Sequence, residues 1–134
     1  MTNHSPDVRE ELYGGLMRQL FIPDVVRIGA IDYKTVYPDI ITIGSRCNYA
    51  GSIDTESQQI ALLANYTPEQ RLSPFFHELV HGIFREANLK ELFENEDAVD
   101  RVGRVLHQIM RDNYFYKDVI EKKTTRKSVV RNRG

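Results

Sequence analysis

The sequence predicts an α+β fold in which a small, mainly antiparallel sheet precedes two helices. β-Branched and aromatic residues are concentrated between residues 25 and 63, which is typical of strands. The spacing between these strand candidates is too short for the crossover that parallel neighbours need, so it favours an antiparallel meander. Two amphipathic helical patterns follow from Thr67 onward. The 134 residues, of which 41% are hydrophobic and 28% are charged, suit one globular domain.

The strands are predicted from runs of β-forming residues that turn residues separate. The candidates are residues 26–31, 33–37, 48–54 and 58–63, with residues 40–43 as a possible extra short strand. Upstream, Leu12, Leu16 and Leu20 recur at a spacing of four residues, but Gly14-Gly15 interrupts them. A short or broken helix is therefore expected over residues 7–20.

The main helix is predicted to begin near Thr67. Thr67, Pro68 and Gln70 match an N-cap threonine, a proline at the first helical position and a capping box. Ser73-Pro74 repeats the cap and proline pattern, so the helix either bends at Pro74 or passes there from a first turn into the main helix. The main helix is expected to end near residue 87, and a second helix over residues 95–113 carries the apolar stripe Val99, Val102, Leu106, Ile109 and Met110.

The composition excludes membrane-spanning and disulfide-based architectures. The longest unbroken apolar run covers residues 60–64, far short of the ~20 residues that span a bilayer. The polar N-terminus lacks a secretory apolar region, which predicts a cytoplasmic protein without a membrane partner. Cys47 is the only cysteine, so an intrachain disulfide and a thiolate-rich metal cage are excluded. Any metal must therefore bind to histidine and carboxylate side chains.

Charge is unevenly distributed along the chain. Residues 117–134 hold seven basic and two acidic side chains, a net charge of +5, whereas residues 1–116 carry −6. We expect a single domain over residues 1–116, with its core at about 25–113, and a basic, flexible tail. A nucleic-acid partner, bound through its phosphates, is an alternative role for the tail. The basic residues are Lys117, Lys122, Lys123, Arg126, Lys127, Arg131 and Arg133.

The segment with the clearest chemical meaning is His77-Glu78-Leu79-Val80-His81. On a helix, this HExxH pattern places two imidazoles one turn apart on the same face, where both can bind one zinc ion. The carboxylate of Glu78 can then reach a water on that ion and act as a general base. The alternative interpretation is that all three polar residues are partly exposed positions of an amphipathic helix.

A hydrolytic zinc site usually has three protein ligands and one open position, so a third ligand is expected downstream. The candidates are Glu91, Glu94, Glu96, Asp97, Asp100 and His107. Helical phase favours Glu96, because it shares the inward face of the second helix with Val99 and with Gly103. A carboxylate on that face needs a partner, and the glycine would let two helices approach closely. Alternatively, Glu96 only complements the helix dipole.

Helical phase also separates the other candidates for the third ligand. Asp97 shares its face with two arginines, which predicts a solvent position. Asp100 lies one turn after Glu96 and either orients a ligand histidine or is simply exposed. His107 lies eleven residues beyond Glu96, which is ~16 Å of helix and too distant for the same ion.

Further residues around the motif follow in an order that resembles a known family. They are Gly29, Tyr33, Val36, Gly51-Ser52-Ile53-Asp54, Gln59-Ile60, Glu69-Gln70-Arg71, Glu96-Asp97-Ala98-Val99, Val105-Leu106 and Arg111-Asp112-Asn113. Between residues 26 and 113 the chain resembles the small phage and prophage metallopeptidase-like proteins related to the ImmA/IrrE group. It departs from them at Pro74, where they usually have a threonine-like residue, at Gly82, where alanine is common, and at His107, where tyrosine is frequent.

The resemblance implies a minimal zincin-like fold with one Zn²⁺ per chain. In that fold His77 and His81 are metal ligands, Glu78 is the base and Glu96 is the third ligand. The implied activity is hydrolysis of a peptide bond in a protein or peptide substrate. A phage origin would place the chain in the host bacterial cytoplasm.

For substrate binding, residues 58–63 are expected to offer a strand edge to an extended peptide, unless they form an interior strand. Tyr49, Tyr66 or Arg71 would stabilise the oxyanion of the reaction. Two other functions compete with hydrolysis. One is a non-catalytic, zinc-stabilised protein-binding module, and the other is nucleic-acid association through the basic tail.

Overall fold

The computed structural model describes residues 19–46 and 49–121. They form strands β1 (Val25–Ile28), β2 (Ile31–Val36), β3 (Gly51–Asp54) and β4 (Gln59–Leu62), followed by helices α1 (Pro68–Glu86), α2 (Lys90–Phe93) and α3 (Glu96–Asp112). The predicted α+β class is confirmed. Most of the predicted N-terminal helix, Cys47 and the tail from Lys122 onward lie outside the described residues.

The sheet is mixed, with the strand order β1-β2-β4-β3. β1 pairs with β2 and β3 pairs with β4 in antiparallel register, whereas β2 and β4 are parallel. The predicted meander order is therefore wrong, because β4 lies between β2 and β3. Residues 37–50 form a connection long enough to carry the chain past the position of β4 to the far edge. Within it, residues 40–43 form no strand, and Ile43 makes one isolated bridge with Arg46.

One face of the sheet is apolar and the other is polar. Tyr33, Thr35 and Ile60 are buried, while their neighbours Lys34 and Gln59 are exposed. This alternation is expected of a sheet that packs on one side and is solvated on the other. α1 covers the apolar face and contacts β1, β3 and β4. The sheet therefore serves as the base on which α1 is fixed.

α1 begins as the sequence predicts. The hydroxyl of Thr67 accepts a hydrogen bond from the amide nitrogen of Gln70 at 3.1 Å, and the Gln70 side chain accepts one from the amide nitrogen of Thr67 at 2.9 Å. This capping box satisfies two N–H groups that a helix start leaves without helical partners. The helix starts at Pro68 and continues through Pro74 to Glu86 as one element.

α3 agrees with its prediction to within one residue at each end. The Asn95 side chain caps it by accepting a hydrogen bond from the amide nitrogen of Ala98 at 3.0 Å. α3 packs along α1. α2 is a single turn between them that the sequence pattern does not predict, because four residues are too short for a helical period. Among the described residues, no helix is both long and apolar enough to cross a membrane.

Candidate metal centre

His77 and His81 lie one turn apart on the side of α1 that meets α3. Their ring centroids are 5.1 Å apart. The residues directly before the two histidines hold this face in place, since Phe76 and Val80 belong to the two buried clusters of the core. The helix therefore brings the two imidazoles together without help from a partner, as the HExxH pattern predicts.

Glu96 reaches both histidines from the first turn of α3. Its Oε1 lies 2.9 Å from Nε2 of His77, and its Oε2 lies 2.9 Å from Nε2 of His81. The ligand atoms of the three residues all lie within 4.8 Å of one another, so the three side chains can hold one metal ion. Of the six predicted third-ligand candidates, the structure brings Glu96 to both imidazoles.

The backbone of α2 fixes the tautomer of His81. The carbonyl oxygen of Phe93 lies 2.8 Å from Nδ1 of this ring. Because a carbonyl can only accept a hydrogen bond, Nδ1 carries the proton and, in the neutral ring, Nε2 presents a lone pair to Glu96. Burial lowers the pKa of His81 and favours the neutral ring, although the charge of Glu96 opposes this. A lone pair that faces a carboxylate at 2.9 Å needs a proton or a cation between them, and a metal ion meets that need.

The spacing from Glu96 to each histidine is close to that between two ligands of a zinc site. With zinc–ligand bonds of ~2.0–2.1 Å, the donor atoms of a tetrahedral site lie roughly 3.3 Å apart. The 2.9 Å from Glu96 to each histidine is therefore shorter by about 0.4 Å. The Glu96 side chain is 70% exposed and has room to rotate outward by that amount. Two imidazoles and one carboxylate are also a donor set that zinc accepts in proteins.

Glu78 is a buried carboxylate with no hydrogen bond to any described residue. It is 7% exposed, and its Cγ lies 3.3 Å from the position that a Cβ on Gly51 would take. Burial, and to a smaller extent the charge of Glu96, raises the pKa of Glu78 to about 8. A carboxylate in such surroundings reduces the stability of the fold. A strongly perturbed acid beside metal-binding side chains is a candidate for acid–base chemistry.

Glu78 lines a cleft of about 420 Å³ between the sheet and the helices, together with His77 and Glu96 from the cluster. His81 is buried and contacts the carboxylate of Glu96, but it does not line the cleft. The rest of its lining comes from the start of β3, the turn before α1, the second turn of α1 and the first turns of α3. These residues are Tyr49, Ala50, Gly51, Tyr66, Ser73, Pro74 and Asp100. The cleft is the place where a substrate would meet both the metal ligands and the buried carboxylate.

Asp100 lies next to the other nitrogen of His77. Its Oδ1 is 3.6 Å from Nδ1 of that ring, and its Oδ2 accepts a hydrogen bond from Arg104 at 2.7 Å. The side chain is half exposed and lies beside the ring, so both of the predicted alternatives stay open. A carboxylate behind a ligand histidine can orient the ring and make it a better donor.

The other predicted candidates lie elsewhere. Glu94 lines a separate groove at the end of α1. Asp97 faces solvent, with its Oδ2 3.1 Å from Nε of Arg101, as predicted. His107 stacks on the ring of Phe76 at a centroid distance of 5.0 Å and so takes part in helix packing. Glu91 is exposed in α2.

Of the three predicted oxyanion donors, Arg71 is held by the fold. Its Nε and Nη2 donate hydrogen bonds to the carbonyl oxygens of Leu63 and Ala64 at 3.0 and 2.6 Å. Tyr49 and Tyr66 line the cleft. The two tyrosines are therefore the donors that the cleft can offer.

Sequence reasoning missed the roles of Phe93 and Gly51. A backbone carbonyl that fixes a histidine tautomer leaves no trace in the residue type, so no signal for Phe93 existed. Gly51 did carry a signal, because a glycine inside a strand pattern marks a close approach of another group. Here that group is the side chain of Glu78.

Comparisons of the chain with protein-family models, with curated proteins and with solved structures find no match.

Proposed function

We propose that this chain is a zinc-dependent peptidase that hydrolyses a peptide bond in a protein or peptide substrate. One observation carries the proposal: two residues of a three-residue cluster that can hold a metal ion, His77 and Glu96, line one cleft with a buried carboxylate. His77, His81 and Glu96 supply the ligands, and Glu78 supplies the base. Neither group benefits the fold by itself. The lone pair of His81 that faces Glu96 needs a proton or a cation between the two groups, and Glu78 has no hydrogen-bond partner in the described part of the chain.

Zinc is the ion that this donor set suits best. Hydrolytic zinc sites commonly use histidines and one carboxylate and keep a fourth position open. When bound, the ion would supply Lewis-acid chemistry towards the scissile carbonyl and make water more acidic. We propose one Zn²⁺ per chain. The carbonyl of Phe93 and the carboxylate of Asp100 would hold the two imidazoles in orientation.

Glu78 is the proton carrier of the proposed reaction. Its carboxylate takes a proton from the attacking water and later delivers it to the nitrogen of the leaving amine. Burial and the charge of Glu96 raise its pKa to about 8, which makes it a stronger base than an exposed glutamate. A cation beside it would bring that pKa back down, towards the range where a carboxylate can both accept and release a proton near neutral pH.

An extended peptide is the substrate that the cleft favours. Residues 58–63, which the sequence suggested as a substrate edge, instead contain β4, an interior strand with β2 and β3 at its sides. The edge strand at the cleft is β3, which starts at the wall residue Gly51. Its outer edge can exchange backbone hydrogen bonds with a peptide that lies across the cleft. Tyr49 and Tyr66 are the proposed oxyanion donors.

The resemblance to proteins related to the ImmA/IrrE group supports the same chemistry. From it we also propose a minimal zincin-like fold, a phage or prophage origin and a place of action in the host bacterial cytoplasm. These three statements rest on the order of the quoted residues around the HExxH segment and not on the geometry of the cleft.

A non-catalytic, zinc-stabilised binding module is the second candidate. The observation in its favour is that the ligands come from two helices, so a bound ion would join α1 to α3. In such a module Glu78 would have no functional part. The third candidate is nucleic-acid association through the tail. Six of its seven basic residues lie outside the described part of the chain, and Lys117 is the exception.

Zinc content and peptide cleavage, measured on matched variants, test the proposal. The purified wild type is expected to hold about one zinc per chain by elemental mass spectrometry and to cleave members of a peptide library. Glu78→Gln should keep zinc and lose cleavage, whereas His81→Ala and Glu96→Gln should lose both. Glu94→Gln, in the separate groove, is the control and should behave as the wild type does.

Two outcomes would contradict the proposal in different ways. A wild type that folds but takes up no zinc when zinc is supplied would exclude the proposed zinc-dependent hydrolysis. A zinc-loaded wild type whose biological effect is unchanged in Glu78→Gln would favour the binding module.

A further inference from the structure

α3 meets α1 beside the histidine pair through a face made of Glu96, Asp100, Gly103 and His107. These residues recur at spacings of four, three and four, which places them on one side of a helix. Glu96 and Asp100 approach the two ring nitrogens of His77 at 2.9 and 3.6 Å. His107 stacks on the aromatic ring that precedes that histidine. Gly103 lies between them, is buried and has no side chain.

At Gly103 the backbones of the two helices touch. A Cβ at this position would lie 3.3 Å from Cα of His77, 3.5 Å from the backbone nitrogen of His77 and 3.5 Å from the carbonyl oxygen of Phe76. All three atoms belong to the backbone of α1, which cannot rotate aside as a flexible side chain can. A side chain at position 103 would therefore have to move one helix away from the other.

We propose that Gly103 is a positioning residue of the metal centre, which sets the distance from Glu96 to the two histidines by letting α3 rest on the backbone at His77. The inference rests on the proposed metal site and assigns a role to a residue that binds neither metal nor substrate. Glu96 lies seven residues, or about two turns, before Gly103 on the same helix. A displacement of α3 at the contact therefore moves the third ligand as well.

The displacement is large enough to matter for a metal. The 3.3 Å contact with Cα of His77 is tight for a Cβ, so the helix would move by a few tenths of an ångström, whereas the two contacts at 3.5 Å are ordinary van der Waals distances. Metal–ligand distances in proteins hold to within ~0.2 Å of their usual values. Glu96 is exposed and can compensate in part, so metal affinity should weaken and not vanish.

Gly51 offers a matched comparison at the opposite wall of the cleft. A Cβ there would lie 3.2 Å from Cδ2 of Leu62 and 3.3 Å from both Cγ of Glu78 and the carbonyl oxygen of Ala61. Its nearest neighbours therefore belong to β4 and to the proposed base, and not to the contact between α1 and α3. The same added methyl group should disturb proton transfer at Gly51 and metal binding at Gly103.

The test measures Zn²⁺ affinity on the full chain, by competition with a chromophoric chelator, together with the melting temperature of the metal-free protein. Gly103→Ala should weaken Zn²⁺ binding by ~10–100-fold, the usual effect of disturbing residues that orient metal ligands. Its metal-free melting temperature should change little, because alanine is the better helix former. Gly51→Ala should bind Zn²⁺ as the wild type does. His107→Ala, which loosens the same helix contact without adding an atom, should weaken binding severalfold.

Several results would overturn the inference. A folded Gly103→Ala with wild-type Zn²⁺ affinity would do so, as would equal weakening in Gly103→Ala and Gly51→Ala. A Gly103→Ala chain that does not fold without metal would assign the glycine to the fold and not to the metal centre. A wild type that binds no Zn²⁺ would instead refute the proposed function. That failure shows in the wild-type measurement itself and is therefore distinct from the results of the variants.

Discussion

The two helices that line the cleft, α1 and α3, are held in place by different amounts of packing. α1 lies on the sheet, has seven buried residues and begins with a complete capping box. Its two histidines and Glu78 are therefore held in place by a well-packed helix. α3 has two buried residues, Val99 and Gly103. Near its start, the side chains of Glu96 and Asp100 are 70% and 52% exposed.

The difference indicates how the proposed metal would act on the fold. The histidine pair is preorganised by helix geometry, so little has to change on the α1 side when an ion binds. The third ligand comes from a helix with fewer buried contacts, and the ion would add a direct link between that helix and α1. Metal binding is therefore expected to change the order of α3 more than that of α1.

The largest expected effect concerns Glu78, the proposed base on α1. Glu78→Gln should lower kcat/KM for a cleaved peptide by ~10²–10⁴-fold, because general acid–base catalysis contributes factors of this size. Zinc content should stay at the wild-type level, since Glu78 is not among the three clustered ligands. Glu69→Gln, an exposed glutamate in the first turn of α1, is the control. Retained cleavage in Glu78→Gln would show that another group carries the proton.

The next-largest expected effect concerns the link that a bound zinc ion would form between α1 and α3. At a free zinc concentration of ~1,000 times Kd, the free energy of unfolding should rise by about 4 kcal/mol, as a ligand of the native state requires. Glu96→Gln should lose most of this gain while its metal-free stability stays near that of the wild type, because the side chain is exposed. Denaturant titrations with zinc and with a chelator measure both quantities.

Hydrogen exchange locates the same effect within the chain. If α1 is held more firmly than α3 in the metal-free protein, zinc should increase amide protection more in α3 than in α1. Equal protection in the two helices would mean that α3 is already as well held as α1 without metal.

Local signals in the sequence predicted much of the site. Thr67 and Gln70 formed the expected capping box. Helical periodicity placed Glu96 on the inward face of α3; the structure brings it to the histidines, as expected from that face, but leaves its side chain 70% exposed. Such signals work because a cap or a helical face depends on residues only a few positions apart.

The strand order could not be predicted in the same way. It depends on the path of residues 37–50, which pass the position of β4 before β3 forms at the edge. Short spacing excluded a crossover between consecutive strands but gave no information on β2 and β4, which are far apart in sequence. The hydrogen-bond partner of His81 could not be predicted either, because it is the backbone carbonyl of Phe93 and every residue type has such a group.

In the metal-free protein, the buried carboxylate should make stability depend on pH. The folded-state pKa of Glu78 is raised from 4.5 to about 8, so the folded chain binds more protons than the unfolded chain between these values. The contribution to stability is therefore fully present below pH 4.5, declines as pH rises and is lost above about pH 8. The decline should be at most about 5 kcal/mol, since the two pKa values differ by about 3.5 and one pKa unit corresponds to ~1.4 kcal/mol.

Urea titrations of the metal-free wild type and Glu78→Gln between these pH values measure this decline. The lowered pKa of His81 acts in the opposite direction, so the difference between the two profiles isolates Glu78. Parallel profiles would mean that Glu78 is solvated in the folded chain.

The smallest expected effect is the difference in Zn²⁺ affinity between variants of two aspartates on α3. Asp97 and Asp100 each pair with an arginine four residues later, at 3.1 and 2.7 Å. Only Asp100 also approaches His77, at 3.6 Å from Nδ1. Asp100→Asn should weaken Zn²⁺ binding by ~10-fold, because a carboxylate behind a ligand histidine raises its basicity. Asp97→Asn removes the same charge from the same helix, and its Zn²⁺ affinity should match that of the wild type. If both variants weaken binding equally, the effect comes from the overall charge of α3 and not from the orientation of His77.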